Sequence, residues 1–238
     1  MNTPKLLKTK AIAAGIHFSI SFVIFILMTV WFCLSLYPSF YFKMSGGIQG
    51  LCLMFFCDAV LGPLITFCVF NHTKPKREII TDLSVVALIQ LSAFIYGFWA
   101  VYNGRPYVSI IYSDSRAIIL PYQDVKDDKK YSSMNVSEFA NSKIKSVPIG
   151  IYHIKDKKNV LEPLIKASQE EMEKIDNDTR KHFQMYAREE SKRELKKLET
   201  EHKDLLLFFM VGKYTMAYIC VDKQFNFIAK LDEDNLWD

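Results

Sequence analysis

Three stretches of this chain stay apolar for longer than a bilayer is thick, and nothing after the third does. No charged residue occurs from Ala11 to Phe42, only Asp58 from Gly46 to His72, and none from Leu83 to Gly104. A helix needs roughly 20 such residues to cross the hydrocarbon core. The pattern therefore predicts three transmembrane helices, over about residues 11–37, 46–70 and 83–102. The first is too long for the apolar core of a signal peptide (roughly 7–15 residues), and no small-x-small cleavage site follows it. Leu36-Tyr37-Pro38 reads as an interfacial exit with an aromatic anchor.

Past Arg105-Pro106 the period shortens. Tyr107–Tyr112 and Ala117–Tyr122 read as strands about a Ser113-Asp114-Ser115-Arg116 turn. Gln123 to Ser133 is expected to be a surface loop, Ser137–Lys145 a short helix, and Ile149–Ile154 a strand. Ser168 to His202 has helical spacing. Ser168 with Glu171 makes a capping box, and Met172, Ile175, Thr179, Phe183 and Tyr186 form an apolar stripe. Unbroken, this helix would be about 50 Å long; Asp176-Asn177-Asp178 is the place where it could break in two. Leu205–Val211, Tyr214–Val221 and Phe225–Leu231 alternate as strands, the last two joined by a turn at Asp222-Lys223-Gln224. The expected fold is a membrane protein with three transmembrane α-helices, then a small α+β soluble domain. Residues 1–104 form the membrane module and 105–238 the domain.

Charge changes the picture by fixing an orientation. Residues 1–104 carry seven Lys/Arg against three Asp/Glu, which is the whole net charge of +4; the remainder is balanced and offers no basic face for nucleic acid. Lys5, Lys8 and Lys10 precede the first span, and Lys74, Lys76 and Arg77 lie between the second and third, against Lys43 alone between the first and second. The positive-inside rule puts the N-terminus and the second loop in the cytoplasm. In a bacterium this makes an inner-membrane, multi-pass protein with its C-terminal domain in the periplasm. Lys74, Lys76 and Arg77 then form a topology loop beside anionic lipid, or a docking point for a cytoplasmic protein.

The candidate chemistry is sparse. Of five cysteines only Cys220 lies in the soluble domain, so that domain has no internal disulfide, and no C-x-x-C pair exists. No Gly-x-Ser-x-Gly, His-Glu-x-x-His or phosphate-cradling glycine loop is present. His17 and His72 near the inner face raise a bis-histidine haem site, but two such histidines are common by chance. Asp58 and Asp82 lie at different depths and outside any Gly-x-Gly-Asp context, which argues against an intramembrane aspartyl protease. Neither a cofactor nor a catalytic residue is expected.

What remains is a polar seam. Asp58, at mid-membrane, costs roughly 2.5–3.5 kcal/mol on insertion scales unless it faces other protein. Pro63 frees the carbonyl of Ala59 and tends to kink the helix. Gln90 of the third span is expected at the level of Pro63, and Tyr96 near Asp58. Asp58, Pro63, Thr66, Gln90 and Tyr96 either glue the hairpin of spans together or receive a helix from another protein. A proton or ion pathway would need more acids in series.

Gly46-Gly47-Ile48-Gln49-Gly50, Asp58-Ala59-Val60-Leu61-Gly62-Pro63-Leu64-Ile65-Thr66, Lys74-Pro75, Asp82-Leu83, Gln90-Leu91, Tyr96-Gly97, Val101-Tyr102 and Arg105-Pro106, in that order, resemble the TfpX/TfpZ family of type IV pilin accessory proteins. The likeness covers roughly residues 10–115. It implies a non-enzymatic inner-membrane protein that aids the stability or assembly of a cognate major type IV pilin. The partners implied are that pilin, the lipid bilayer and other pilus assembly proteins. A reading of another class is a membrane-anchored periplasmic ligand sensor that signals through its cytoplasmic basic loop.

Overall fold

Three helices of the computed structural model, which describes residues 3–128, 131, 136–155 and 158–236, are long and apolar enough to cross a membrane. They are Pro4–Leu36, Gly47–Val69 and Lys76–Asn103. The first is α1 (Thr3–Trp31) extended by a π-helical turn, Phe32–Leu36. A short helix α2 (Tyr41–Met44) follows. The second span is α3 (Gly47–Phe55), a π-helical segment Phe56–Leu61, and α4 (Gly62–Val69). The widened segment ends at Leu61, with Gly62 between it and Pro63, and the missing N–H of Pro63 already breaks the regular ladder. The third span is α5 (Lys76–Asn103), which begins in the charged stretch before the apolar run. Leu27, Leu88 and Ile95 each leave more than half of their surface open, as lipid-facing residues do.

These spans, residues Met1–Ser35 and Gly47–Tyr102, form one compact unit. Within it α1 packs along α4 and the π-helical segment. α5 meets α3 at two glycines: a Cβ on Gly50 would stand 2.6 Å from Val101, and one on Gly97 3.1 Å from Met54. Small residues of this kind let membrane helices approach closely.

The second unit comprises Leu36–Gly46 and Asn103–Asp238. Its strands are β1 (Pro106–Ile111) and β2 (Arg116–Pro121), then, beyond helix α6 (Tyr122–Asp127), β3 (Lys143–Ile144), β4 (Val147–Lys155) and β5 (Lys158–Pro163). Helices α7 (Gln169–Tyr186) and α8 (Glu189–Glu201) lead to β6 (Leu206–Val211), β7 (Thr215–Val221) and β8 (Phe227–Asn235). One sheet runs β3-β4-β1-β2-β6-β7-β8, with β5 also paired to β4. The β1–β4 and β2–β6 pairs are parallel and the others antiparallel.

Alternation along β6 shows that both faces of the sheet are buried. Phe208 and Met210 join a core with Ile111, Ile149 and Ile219. Leu207 and Phe209 join another with Phe183, Leu195 and Cys220. The first core also contains Phe40, Tyr41 and Met44, which come from the connector between the first two spans. Tyr41 and Met44 are fully buried. The Met44 carbonyl accepts the Tyr214 N–H at 3.1 Å, the Tyr41 hydroxyl meets Ser109 Oγ at 3.4 Å, and Lys43 pairs with Glu233 at 3.1 Å. Burial pushes the Tyr41 hydroxyl pKa up. Gly212 has no Cβ because one would collide with the Met44 backbone. The connector lies in the stretch assigned from sequence to the membrane module, yet it packs as part of the domain.

Several local expectations change. The helix pair does divide, but at Ala187–Arg188 and not at Asp176–Asp178. Asp232 accepts from the Arg188 backbone N–H (3.3 Å), Arg188 Nε (2.6 Å) and Ser191 Oγ (3.1 Å), and so holds the break open. Asp176 stays helical: it pairs with Arg180 and accepts the Leu207 N–H at 2.8 Å. The helix expected over Ser137–Lys145 is instead one 3₁₀ turn, Val136–Phe139, followed by β3. The β3–β4 turn places Lys145 and Ser146 at positive φ (48° and 73°), the geometry of a two-residue hairpin without its usual Asn-Gly signature. Part of the expected surface loop Gln123–Ser133 is α6, which buries Val125 against Val108, Ile110 and Tyr131; residues 129–130 and 132–133 lie outside the described residues. β5 has no counterpart among the strands read from the sequence.

Candidate functional site

The polar seam is a groove in the membrane unit. A cavity of about 630 Å³ is bounded by all three spans, with His17, Asp58, Thr66 and Gln90 among its lining. Apart from Ser21, its other walls are apolar. Ile16, Ile20 and Leu91 line it while remaining more than half exposed, so the groove opens on the flank of the helix bundle.

Its polar groups lie in two layers. In one, His17 Nδ1 is 2.6 Å from Thr66 Oγ1, and the Gln90 carboxamide and His17 Nε2 both approach Gly62. Gly62 makes room for this cluster, since a Cβ there would fall inside the Gln90 carboxamide and 3.3 Å from His17 Nε2. The other layer is Asp58. It is the central residue of the 23-residue span Gly47–Val69, sits in the π-helical segment, and has no hydrogen-bond or ion-pair partner among the described residues. The two layers are eight residues apart, about 12 Å at a helical rise.

Of the residues singled out in the sequence, Asp58, Thr66 and Gln90 thus line one groove. Pro63 is buried in the wall behind them. Tyr96 is elsewhere: it is 66% exposed and its ring stacks on Trp99 at 6.2 Å, so its hydroxyl is not the partner of Asp58. The sequence groups His17 with His72 as an inner-face histidine, whereas the structure puts it in the seam against Thr66. The signal was present, because His17 is the lone titratable side chain between Ala11 and Phe32. His72 instead meets Thr9 Oγ1 at 3.0 Å.

At the basic end, Lys10 Nζ donates to the Cys68 carbonyl at 3.0 Å, a favourable place for a cation at a helix C-terminus. Lys74 pairs with Asp82 at 2.6 Å. Lys76 and Arg77 are exposed and carry no ion pair among the described residues.

The domain holds a smaller cavity of about 360 Å³, lined in part by Tyr112, Tyr152, His153 and Glu171. His153 Nδ1 is 3.6 Å from the Glu171 carboxylate, and its Nε2 is buried without a partner. His182 is occupied by the Tyr218 hydroxyl. Burial pushes the Cys220 thiol up to about 12, where it is no nucleophile. Among the described residues no group of three or more His, Cys, Asp or Glu is placed to hold a metal ion.

No protein-family model matches the chain, and no solved structure matches it. Three curated proteins of Dichelobacter nodosus do. A fimbrial assembly protein of serogroup I is 36% identical over 116 residues, 49% of this chain and 45% of that protein. That of serogroup E1 is 38% identical over 106 residues, 44% of this chain and 41% of its own length. That of serogroups C1 and C2 is 37% identical over 106 residues, again 44% of this chain but 81% of the relative. The chain thus spans less than half the length of the first two and most of the third.

Proposed function

Starting from a chain that belongs to the fimbrial assembly proteins, we propose that it is a non-enzymatic, chaperone-like accessory of a cognate major type IV pilin, of the TfpX/TfpZ kind. It stabilises the pilin in the membrane or aids its assembly into the fibre. The N-terminus and the Lys74–Arg77 loop are cytoplasmic, as the positive-inside rule requires, and the α+β domain is periplasmic in the bacterial inner membrane. The observation that carries this reading is the kinship with fimbrial assembly proteins at 36–38% identity.

The architecture supports it. A pilin awaiting assembly is a membrane helix bearing a globular head, so an accessory for it needs an intramembrane surface and a soluble one. This chain has a groove among its spans and a sheet-based domain.

Deletion of the gene, followed by immunoblotting for the pilin and counting of surface fibres, tests the proposal. The expected result is loss of fibres or of pilin, restored by the gene in trans. Normal fibres and normal pilin levels in the deletion strain would refute it.

A further inference from the structure

We propose that the groove bounded by the three spans receives one transmembrane helix of the client, and that Asp58 selects it by pairing with a single polar residue at mid-membrane on that helix. The inference rests on the proposed role in pilin assembly and deepens it by naming the surface and the chemistry of recognition.

Four observations carry it. First, the groove opens on the flank of the bundle, where an occupant can enter sideways from the bilayer, and its rim of Ile16, Ile20 and Leu91 is apolar. Second, one ionisable side chain of the lining, His17, is already bonded to Thr66. Asp58, the other ionisable group there, has no partner among the described residues, although it stands at the centre of its span. Lipid tails offer no hydrogen-bonding group at that depth, so only protein, or water in an emptied groove, can satisfy it.

Third, Asp58 lies on a π-helical segment. Such single widened turns recur at functional sites because they re-aim side chains at the cost of regular hydrogen bonds. Fourth, Gly62 lets the Gln90 side chain pack against the second span beside the groove, since a Cβ there would stand 1.7 Å from its Nε2. The second layer, about 12 Å away, adds a weaker preference for a small polar residue two turns along the guest helix.

A lipid chain would fill the apolar walls and leave Asp58 unsatisfied. A wholly apolar helix would do the same. A helix with one correctly placed polar residue satisfies both the walls and the acid, which is how a membrane site discriminates among guests of equal hydrophobicity.

The test is in-cell photo-crosslinking with the full chain in cells that make pilin. One probe replaces Leu91, on the groove; a second replaces Leu88, exposed on the same helix but outside the groove lining. A third replaces Lys181, on the surface of α7. Pilin adducts are expected from Leu91 and not from Leu88. Asp58→Leu, which leaves insertion easier, should lower the Leu91 adduct by roughly three- to thirty-fold, the range spanned by single intramembrane hydrogen bonds. Asp58→Asn keeps a hydrogen-bonding side chain and should retain most of it.

A Leu91 adduct unchanged in Asp58→Leu would overturn the role of Asp58. Adducts from Leu91 only to lipid or to a second copy of this chain would overturn the choice of guest. Pilin adducts from Lys181 without any from Leu91 would move recognition to the domain while leaving the accessory role standing. Pilin adducts from no probe, together with normal fibres in the deletion strain, would remove that role itself.

Discussion

The connector between the first two spans is predicted to be an indispensable part of the soluble domain's core. Met44 tests this most directly, because its side chain is fully buried while its backbone carbonyl makes the bond to Tyr214. Met44→Ala removes the side chain and keeps the bond. Buried Met→Ala substitutions cost about 2–5 kcal/mol, a large share of the roughly 5–15 kcal/mol that holds an ordinary domain together. Cys220 reports the outcome. It lies in the same unit, fully buried in the other core of the sheet, and its thiol is pushed up to about 12 by burial. Alkylation therefore requires the unit to open. In the detergent-solubilised full chain, with Cys33, Cys52, Cys57 and Cys68 replaced by alanine, the labelling rate of Cys220 follows the opening constant. At about 1.36 kcal/mol per tenfold, Met44→Ala should speed labelling by roughly 30- to 5,000-fold. Leu53→Ala, at a site 56% exposed on the second span, should change it by about twofold or less. Labelling of Met44→Ala at the parent rate would refute the reasoning, for it would mean that the domain closes its core without the connector.

The remaining predictions address the helix break, the electrostatic tie, the groove and the topology. Asp232→Ala removes the acceptor for the Arg188 N–H and Ser191 Oγ and should cost roughly 1–3 kcal/mol in thermal unfolding. Arg188→Ala, at an exposed residue, should cost clearly less, so equal losses would contradict the role given to Asp232. Burial opposes the Glu233 carboxylate, but hydrogen bonds from Lys230 and Lys43 outweigh it and hold its pKa below the ordinary 4.5. A carboxylate depressed in the folded state contributes stability that is complete above 4.5 and lost as pH falls through the lowered value. Melting of Glu233→Gln should therefore fall less steeply below pH 4.5 than that of the parent, and parallel curves would count against the tie. Gly62→Leu drives a side chain into the Gln90 carboxamide; it should insert normally yet lose the pilin adduct from Leu91, and a retained adduct would show the groove tolerates filling. Alkaline phosphatase fused after residue 236 should be active in cells and fused at His72 inactive, the reverse pattern overturning the proposed orientation.

The chain's own pattern determined the membrane half almost completely. Uncharged runs of membrane length have one stable solution in lipid, an α-helix, because every backbone group must be satisfied within the segment. Three membrane-length helices are therefore legible, although the first and third begin earlier than their apolar runs, at Pro4 and Lys76, and so is the capping box at Ser168, where a local pattern suffices. Asp58 was legible for the same reason: an acid at mid-membrane stands out against lipid whatever surrounds it. Tertiary structure decided the rest. Period and depth say how far up a helix a side chain lies but leave its rotation open, so Tyr96 was expected beside Asp58 and faces Trp99, while His17 entered the seam from the first span. At the break at Ala187–Arg188 the Arg188 N–H is bonded by Asp232, 44 residues on, a partner that no local pattern names. Phe40, Tyr41 and Met44 look in sequence like an interfacial loop between two membrane helices. Only the fold shows that they fill the domain's core, because burial is a property of what packs against a residue, and that packing comes from strands more than sixty residues away.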